Sequence, residues 1–301
     1  MKKISTILGI ATVAIMGVAC NKISVDIQKG ETMTFRATFP EDDMVTKVSL
    51  DLGTKAVNWE AGDVIRVISP NNWTFTDFTL TEGAGTKTAS FTGTRDFGEA
   101  TKMAAFYGTH PNFTTSGVIG SSSCYVQIVY PSTQSYANGP QYYLHFMTYS
   151  TLLTNSSNLT FRPLECIVKI PVKGSGVTLS SIRIDCDGVA VAGRYYGLTN
   201  QNGSAPDYGF GNGVTWDNAY DNASGYANYI NYVTLTGINV ALTDEPQFFY
   251  IVVANKNGST NHGGLTVTLT PSEGAPVVKT FANFTSTRGK IYKFPEVDMN
   301  T

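Results

Sequence analysis

Four cysteines, three histidines and a scatter of aspartates are the side chains through which this chain could do chemistry. Cys20 stands apart near the start; Cys124, Cys166 and Cys186 that remain are odd in number, so they allow one internal pair at most. Each falls on the apolar parity of its segment, Cys124 with Val126 and Ile128, Cys166 with Val168, and Cys186 with Ile184. Buried thiols serving as small apolar residues are the expected form, with one disulfide plus a leftover thiol as the alternative. No Cys-x-x-Cys pair occurs, and His110, His145 and His262 lack metal-ligand spacing. Asp185-Cys186-Asp187-Gly188 opens like a calcium loop but lacks the later ligands, and reads as a turn. Asp217 and Asp221 with nearby carbonyls are a second calcium option on composition alone. There is no Gly-x-Ser-x-Gly elbow, His-Glu-x-x-His helix or phosphate loop. Two carboxylates paired by the fold could hydrolyse a glycoside, which spacing does not address. The chain is read as non-catalytic, with no metal and no cofactor.

Contact chemistry is a second possibility, and it is aromatic. Residues 198–232 are rich in Gly, Asn, Asp and Tyr and have almost no aliphatic periodicity, so they read as a long loop. Tyr208, Trp216, Tyr220 and Tyr226 within it offer flat faces for sugar rings, beside Asn and Asp side chains that can bond hydroxyls. Packing of the same rings onto the protein beneath is the alternative.

The scaffold that must carry these residues is β throughout. Residues 31–39 alternate, with Met33, Phe35, Ala37 and Phe39 on one face and Thr32, Thr34, Arg36 and Thr38 on the other, as in a half-buried strand. Residues 55–59 and 63–69 flank Glu60-Ala61-Gly62 and read as a hairpin. Trp73 and Phe75 share one parity and Phe78 and Leu80 the other, so a bulge near Thr76 and Asp77 is expected to bring all four to the core. Residues 131–140 read as a polar loop. Leu164, Cys166, Val168, Ile170 and Val172 give the clearest period of two, with Pro171 marking its end or an edge position. Lys173-Gly174-Ser175-Gly176 is the best division, giving domains 31–173 and 174–301. The second domain is expected to open with a hairpin, 179–186 and 189–196 about Asp187-Gly188, and to continue with strands at 233–242 (bulged at Gly237), 247–253, 265–270, 277–281 and 290–294. Half-apolar strands of this kind need a second sheet as cover, which makes the fold class all-β, with two tandem β-sandwich domains.

Charged residues are 15% of the 301, against roughly 25% in an average soluble domain. With a net charge of −2, nucleic acid is not an expected partner. Lys2 and Lys3 precede an apolar run, residues 4–16, that is too short to span a bilayer and ends in Gly17-Val18-Ala19-Cys20. This resembles a bacterial lipoprotein signal peptide, although Gly17 stands where Leu is usual. The resemblance implies that residues 1–19 are removed, that Cys20 is acylated, and that residues 20–30 are a lipidated tether at the outer membrane. Lys22 is followed by Ile23 and Ser24, not by the acidic residues of a surface-export signal.

The order of segments resembles the fimbrillin-like (Mfa-like) lipoproteins of the Bacteroidales, within the type V pilus subunit superfamily. The residues that carry it are TKVSLDL, VNWEAGDVIRV, TASFTGT, MAAFYG, VYPSTQSY, LTFRPLECIVKI, FFYIVVAN and TSTRGKIYKFPEV, with WEAGD and RGKIYKF the most distinctive. Membership implies two transthyretin-like β-sandwiches and a role as pilus subunit or surface adhesin, with other fimbrial subunits, host or bacterial surface ligands, or glycans as partners. It also implies strand exchange: an Arg-specific protease removes the lipidated first strand, and a strand of another subunit fills the slot. Arg36 is the one Arg between Cys20 and Arg66, which makes it the candidate cut site and Met33, Phe35, Ala37 and Phe39 the exchangeable strand. Arg36 as an ordinary exposed strand residue is the alternative. Only a short tail follows Phe294, which fits a tip subunit, accessory subunit or stand-alone adhesin better than a shaft subunit. A glycan-binding outer-membrane lipoprotein is the rival reading.

Overall fold

The computed structural model describes residues 30, 32–39, 58–69, 72–94, 102–108, 113–114, 123–151, 158–188, 190–200, 229–255 and 259–301. Among them there is no α-helix. The first half holds β1 (Thr32–Thr38), β2 (Val64–Ser69), β3 (Asn72–Glu82), β4 (Thr88–Thr94), β5 (Lys102–Gly108), β6 (Phe113–Thr114), β7 (Ser123–Tyr130), β8 (Thr133–Ser135), β9 (His145–Thr151), β10 (Asn158–Thr160) and β11 (Arg162–Pro163). The second holds β12 (Glu165–Lys173), β13 (Thr178–Cys186), β14 (Ala192–Asn200), β15 (Tyr229–Ile230), β16 (Tyr232–Thr236), β17 (Val240–Ala241), β18 (Gln247–Ala254), β19 (Ser259–Asn261), β20 (Leu265–Pro271), β21 (Val277–Phe281), β22 (Thr285–Thr287), β23 (Ile291–Lys293) and β24 (Val297–Asp298).

The first sheet runs β10-β1-β4-β3-β2-β5-β9-β11. Its two outer strands are separated in sequence by Phe161 alone, so the sheet must roll until its edges meet. Its two halves then face each other as the layers of a sandwich do. The space between is aromatic: the Trp59 ring has Phe39 stacked at 4.2 Å, with Phe91 at 4.8 Å, Tyr107 at 5.1 Å and Phe161 at 5.6 Å edge-on. Such contacts add specificity to the large area these rings bury.

The second half packs a sheet β18-β12-β23, with β24 also on β12, against a sheet β21-β20-β13-β16-β8. Cys166, Val168, Ile170, Leu179, Ile182, Ile184, Ile251 and Val267 meet between them. Around Ile167 and Val252, β12 and β18 are buried on both faces, because these two side chains turn the other way and close the aromatic core of the first sheet. Strands with two covered faces read as continuous apolar runs, as CIVKIPV and FFYIVVA do. Pro171 sits at the break between β23 and β24, on the side of β12 where Lys169 and Lys173 accept from Phe294 and Met299, so its missing N–H leaves no ladder bond unmade.

Several local expectations give way to this topology. Both pairing edges of β2 are taken by β3 and β5, while Trp59 bonds the β3–β4 turn at Gly85 and Thr86. The Glu60–Asp63 turn is real, with Gly62 at φ 91°, but it does not fold a hairpin; residues 55–57 lie outside the described set. Phe75 packs on Phe106 at 6.0 Å in the second core, whereas Phe78 and Leu80 line the first, so the change of parity serves two cores and not one. Asp187-Gly188 is not a hairpin turn either. A two-residue primed turn would require positive φ at Asp187, alone or together with Gly188, and neither is among the residues that have it; both N–H groups instead donate to Gly264 and His262. From there the chain crosses to β14, which pairs with β7 along its length. The 131–140 stretch is no plain loop: β8 joins β16 in parallel, and Gln134 is buried with its side-chain amide donating to Val252 O at 2.7 Å and accepting from Val252 N–H at 3.0 Å. A division at 173/174 separates β12 from β18, β23 and β24, the strands it pairs with.

Candidate functional site

β1 forms because apolar residues alternate with threonines and Arg36, and the apolar side chains enter the first core. Phe35 meets Phe78 edge-on at 4.7 Å, and Phe39, just past the strand, meets Phe146 at 5.2 Å besides its stack on Trp59. Met33, Ala37 and Phe39 are buried with Phe35. Along one side β1 pairs with β4 over all seven residues, Thr32 with Thr94 through Thr38 with Thr88. Threonine hydroxyls reinforce that seam, Thr34 to Thr92 at 3.0 Å and Thr38 to Thr88 at 3.3 Å. On the other side the contact is short and parallel, Arg36 to Asn158 through Thr38 to Thr160, with Phe161 N–H donating to Thr38 O at 2.9 Å. Among the described residues, Thr32 to Phe35 pair on one side only.

Arg36 therefore carries an exposed side chain on a backbone held from both sides, by Ser90 of β4 and Asn158 of β10. A protease binds its substrate as an extended, unpaired segment. The Arg36 peptide meets that requirement once β1 has left both β4 and β10.

The other sequence candidates distribute as follows. Cys166 and Cys186 are free and buried, and burial pushes both thiols up to about 12. Cys20, Tyr208, Trp216, Tyr220 and Tyr226 lie outside the described residues, as does the side chain of Cys124. Among the described residues no group of three metal-ligating side chains converges.

Two polar clusters that sequence spacing did not bring together are buried. His145 and Glu165, 20 residues apart, are fully inside; Glu165 Oε1 is 2.9 Å from His145 Nδ1, and Oε2 accepts the His145 N–H at 3.0 Å. His262 Nε2 lies 2.7 Å from Ser286 Oγ, whose hydroxyl donates to Asn255 Oδ1 at 2.5 Å. A Ser–His contact suggests nucleophilic chemistry, but both residues are sealed from solvent and the Ser286 proton is committed to Asn255. Desolvation pushes His262 down to about 4. The cluster is a structural bracket between β19 and β22.

No family model matches the chain, and no curated protein matches it. Solved structures do resemble it. A "putative cell adhesion protein" of Bacteroides ovatus matches over 90% of this chain and 93% of its own, with a TM-score of 0.50 and 10% identity. A protein of the same description from Bacteroides uniformis covers 89% and 93% at 13% identity, TM-score 0.45. A fimbrial assembly protein of Parabacteroides distasonis covers 88% and 90% at 11% identity, TM-score 0.41. The first of these likenesses shows the shared all-β sandwich fold.

Proposed function

We propose that the chain is a fimbrillin-like surface protein acting in adhesion or fimbria assembly, tethered to the outer membrane through acylated Cys20, and that β1 is its exchangeable element. The observation that carries the reading is the asymmetry of β1. Among the described residues it is a fully apolar-faced strand held by seven pairs on one side and three on the other. Withdrawing Met33, Phe35 and Phe39 forfeits roughly 5 to 9 kcal/mol at 1.5 to 3 per side chain. A slot of that cost, rimmed by β4 and β10, accepts a replacement strand by β-augmentation. The adhesion and fimbrial descriptions of the structural neighbours agree with this role.

Cleavage at Arg36 follows opening of β1 in this scheme. The stretch after Phe294 is engaged in its own sandwich through β24 and buried Val297 and Met299, which favours a tip, accessory or stand-alone role over strand donation from that stretch. The pairing of β12 with β18, β23 and β24 supports a division between domains near Phe161–Leu164. Contact by Tyr208, Trp216, Tyr220 and Tyr226 with a glycan or surface ligand completes the proposal; non-catalytic glycan capture is the second reading.

The test is digestion of the purified protein with an Arg-specific protease, followed by electrophoresis without boiling. The expected outcome is SDS-resistant oligomers whose formation is suppressed by excess synthetic peptide of residues 31–39. Monomers after complete cleavage, or oligomers indifferent to the peptide, would sink the exchange model.

A further inference from the structure

The outward face of the β18-β12-β23 sheet has an arrangement of charge that the fold itself does not use. Residues of alternate parity on these strands point away from the second core, and one row of them, Val252, Ile167 and Ile291, is covered by the first. The next row is Tyr250, Lys169 and Lys293, direct cross-strand neighbours in that order. The row after it pairs Pro171 with Phe248, one of three exposed large hydrophobic residues among those described, at 43% exposure.

Two lysines side by side repel, and cross-strand like charges are normally avoided or neutralised. Neutralisation is what happens further along β12, where Lys173 Nζ has Glu296 at 2.8 Å and Asp298 at 3.9 Å. Among the described residues, Lys169 and Lys293 have no carboxylate in ion-pair range. The Lys169 ammonium instead lies over the Phe248 ring at 3.9 Å, with Tyr250 at 5.6 Å. A cation–π contact at a surface is worth only about 0.5 to 1 kcal/mol, so it is readily given up to an anion. Release of the ammonium would bare the Phe248 face.

We infer that this face is a binding site for a carboxylated glycan, one sugar carboxylate bridging Lys169 and Lys293 while a ring stacks on Phe248. The neighbouring acids define the class. Glu296 and Asp298, close by on the same sheet, oppose an extended polyanion such as nucleic acid or an anionic bilayer, but not an isolated carboxylate on an otherwise neutral polymer. The exposed Phe248 ring beside the two ammonium groups offers a stacking face for a sugar ring, and because β18 is the outer strand of its sheet, an acidic peptide is the competing occupant that the experiment separates. The inference deepens the adhesive reading and takes its ligand class from it, using residues that belong neither to β1 nor to residues 198–232.

The experiment titrates the full chain with 3′-sialyllactose and trigalacturonate by calorimetry or NMR, with lactose, phosphatidylserine vesicles and an acidic peptide as controls. Binding of a carboxylated sugar with Kd of about 1 mM or tighter, absent for lactose, is expected. Lys169→Gln, Lys293→Gln and Phe248→Ala should each weaken it roughly tenfold, and added salt should weaken it further. All three positions are on the surface, and an unchanged melting temperature verifies each fold. The inference is overturned if neither carboxylated sugar binds, if lactose binds equally, if the lysine variants bind as well as the parent, or if vesicles or peptide are preferred. None of these outcomes touches oligomer formation after cleavage at Arg36, so the two readings fail separately.

Discussion

Phe39→Ala is the perturbation that reaches furthest into this account, because Phe39 fastens the end of β1 to the centre of the first core. Its ring is fully buried, stacked on Trp59 at 4.2 Å and edge-on to Phe146 at 5.2 Å and Phe161 at 6.4 Å. Truncating a buried Phe costs about 3 to 5 kcal/mol through lost transfer energy and the cavity left behind. With three aromatic partners and a closed sheet that cannot collapse inward, a value near 4 kcal/mol is expected. That corresponds to a fall in melting temperature of roughly 8 to 16 °C for a domain of this size. The same energy is removed from the closed form of β1 but not from the open one, so the population that exposes Arg36 should rise. At one decade per 1.4 kcal/mol, cleavage by an Arg-specific protease under sub-denaturing conditions accelerates by up to about three decades. Thr34→Ala, which removes one exposed hydroxyl contact to Thr92, serves as the control and should change either quantity little. The assay is calorimetry beside a time course of intact mass. A large loss of melting temperature with an unchanged rate of cleavage after Arg36 would refute the reasoning, since it would separate the strand from the cut.

Acid should destabilise the protein through His262. Its folded value is pushed down to about 4 by burial, below the ordinary 6.5, so the unfolded chain binds the extra proton first; stability is whole above pH 6.5 and falls by about 3 kcal/mol between there and pH 4. Melting temperatures across that window, compared with His262→Gln, should show a shallower acid limb in the variant. Cys166 and Cys186, buried with thiols raised to about 12, should resist alkylation at neutral pH until denaturant is added, as read by peptide mapping. Glu165→Ala should cost about 3 to 5 kcal/mol, because it strips the His145 ring and backbone N–H of a buried acceptor, and Glu165→Gln should cost less. Denaturant midpoints for the two variants decide it.

What could be read from the sequence was whatever depended on a strand's own alternation. The core parity of residues 33–39 follows from period two, which needs no knowledge of neighbours, and short apolar runs mark the strands expected at 247–253 and 277–281 and found at 247–254 and 277–281. Pairing was not legible, because it is decided by partners far away in the chain. Glu60-Ala61-Gly62 and Asp187-Gly188 have hairpin chemistry, yet the strands that follow them find partners elsewhere. Phe75 and Phe78 disagreed in parity because two cores compete for one strand, which no single-core pattern anticipates. Gln134 looked like loop polarity, and its amide instead stands in for a missing strand residue on Val252. The lysine–phenylalanine face was invisible for the same reason: Lys169, Phe248 and Lys293 are neighbours only through register.

The measurement that bears most directly on the exchangeable strand is intact mass and N-terminal sequence of the protein taken from its native membrane, monomer and oligomer separately. The account predicts a chain acylated at Cys20 in the monomer and a new N-terminus at Ala37 in SDS-resistant oligomers. Oligomers that keep residues 20–36 covalently attached, or a chain cleaved at Ala37 that stays monomeric, would contradict it.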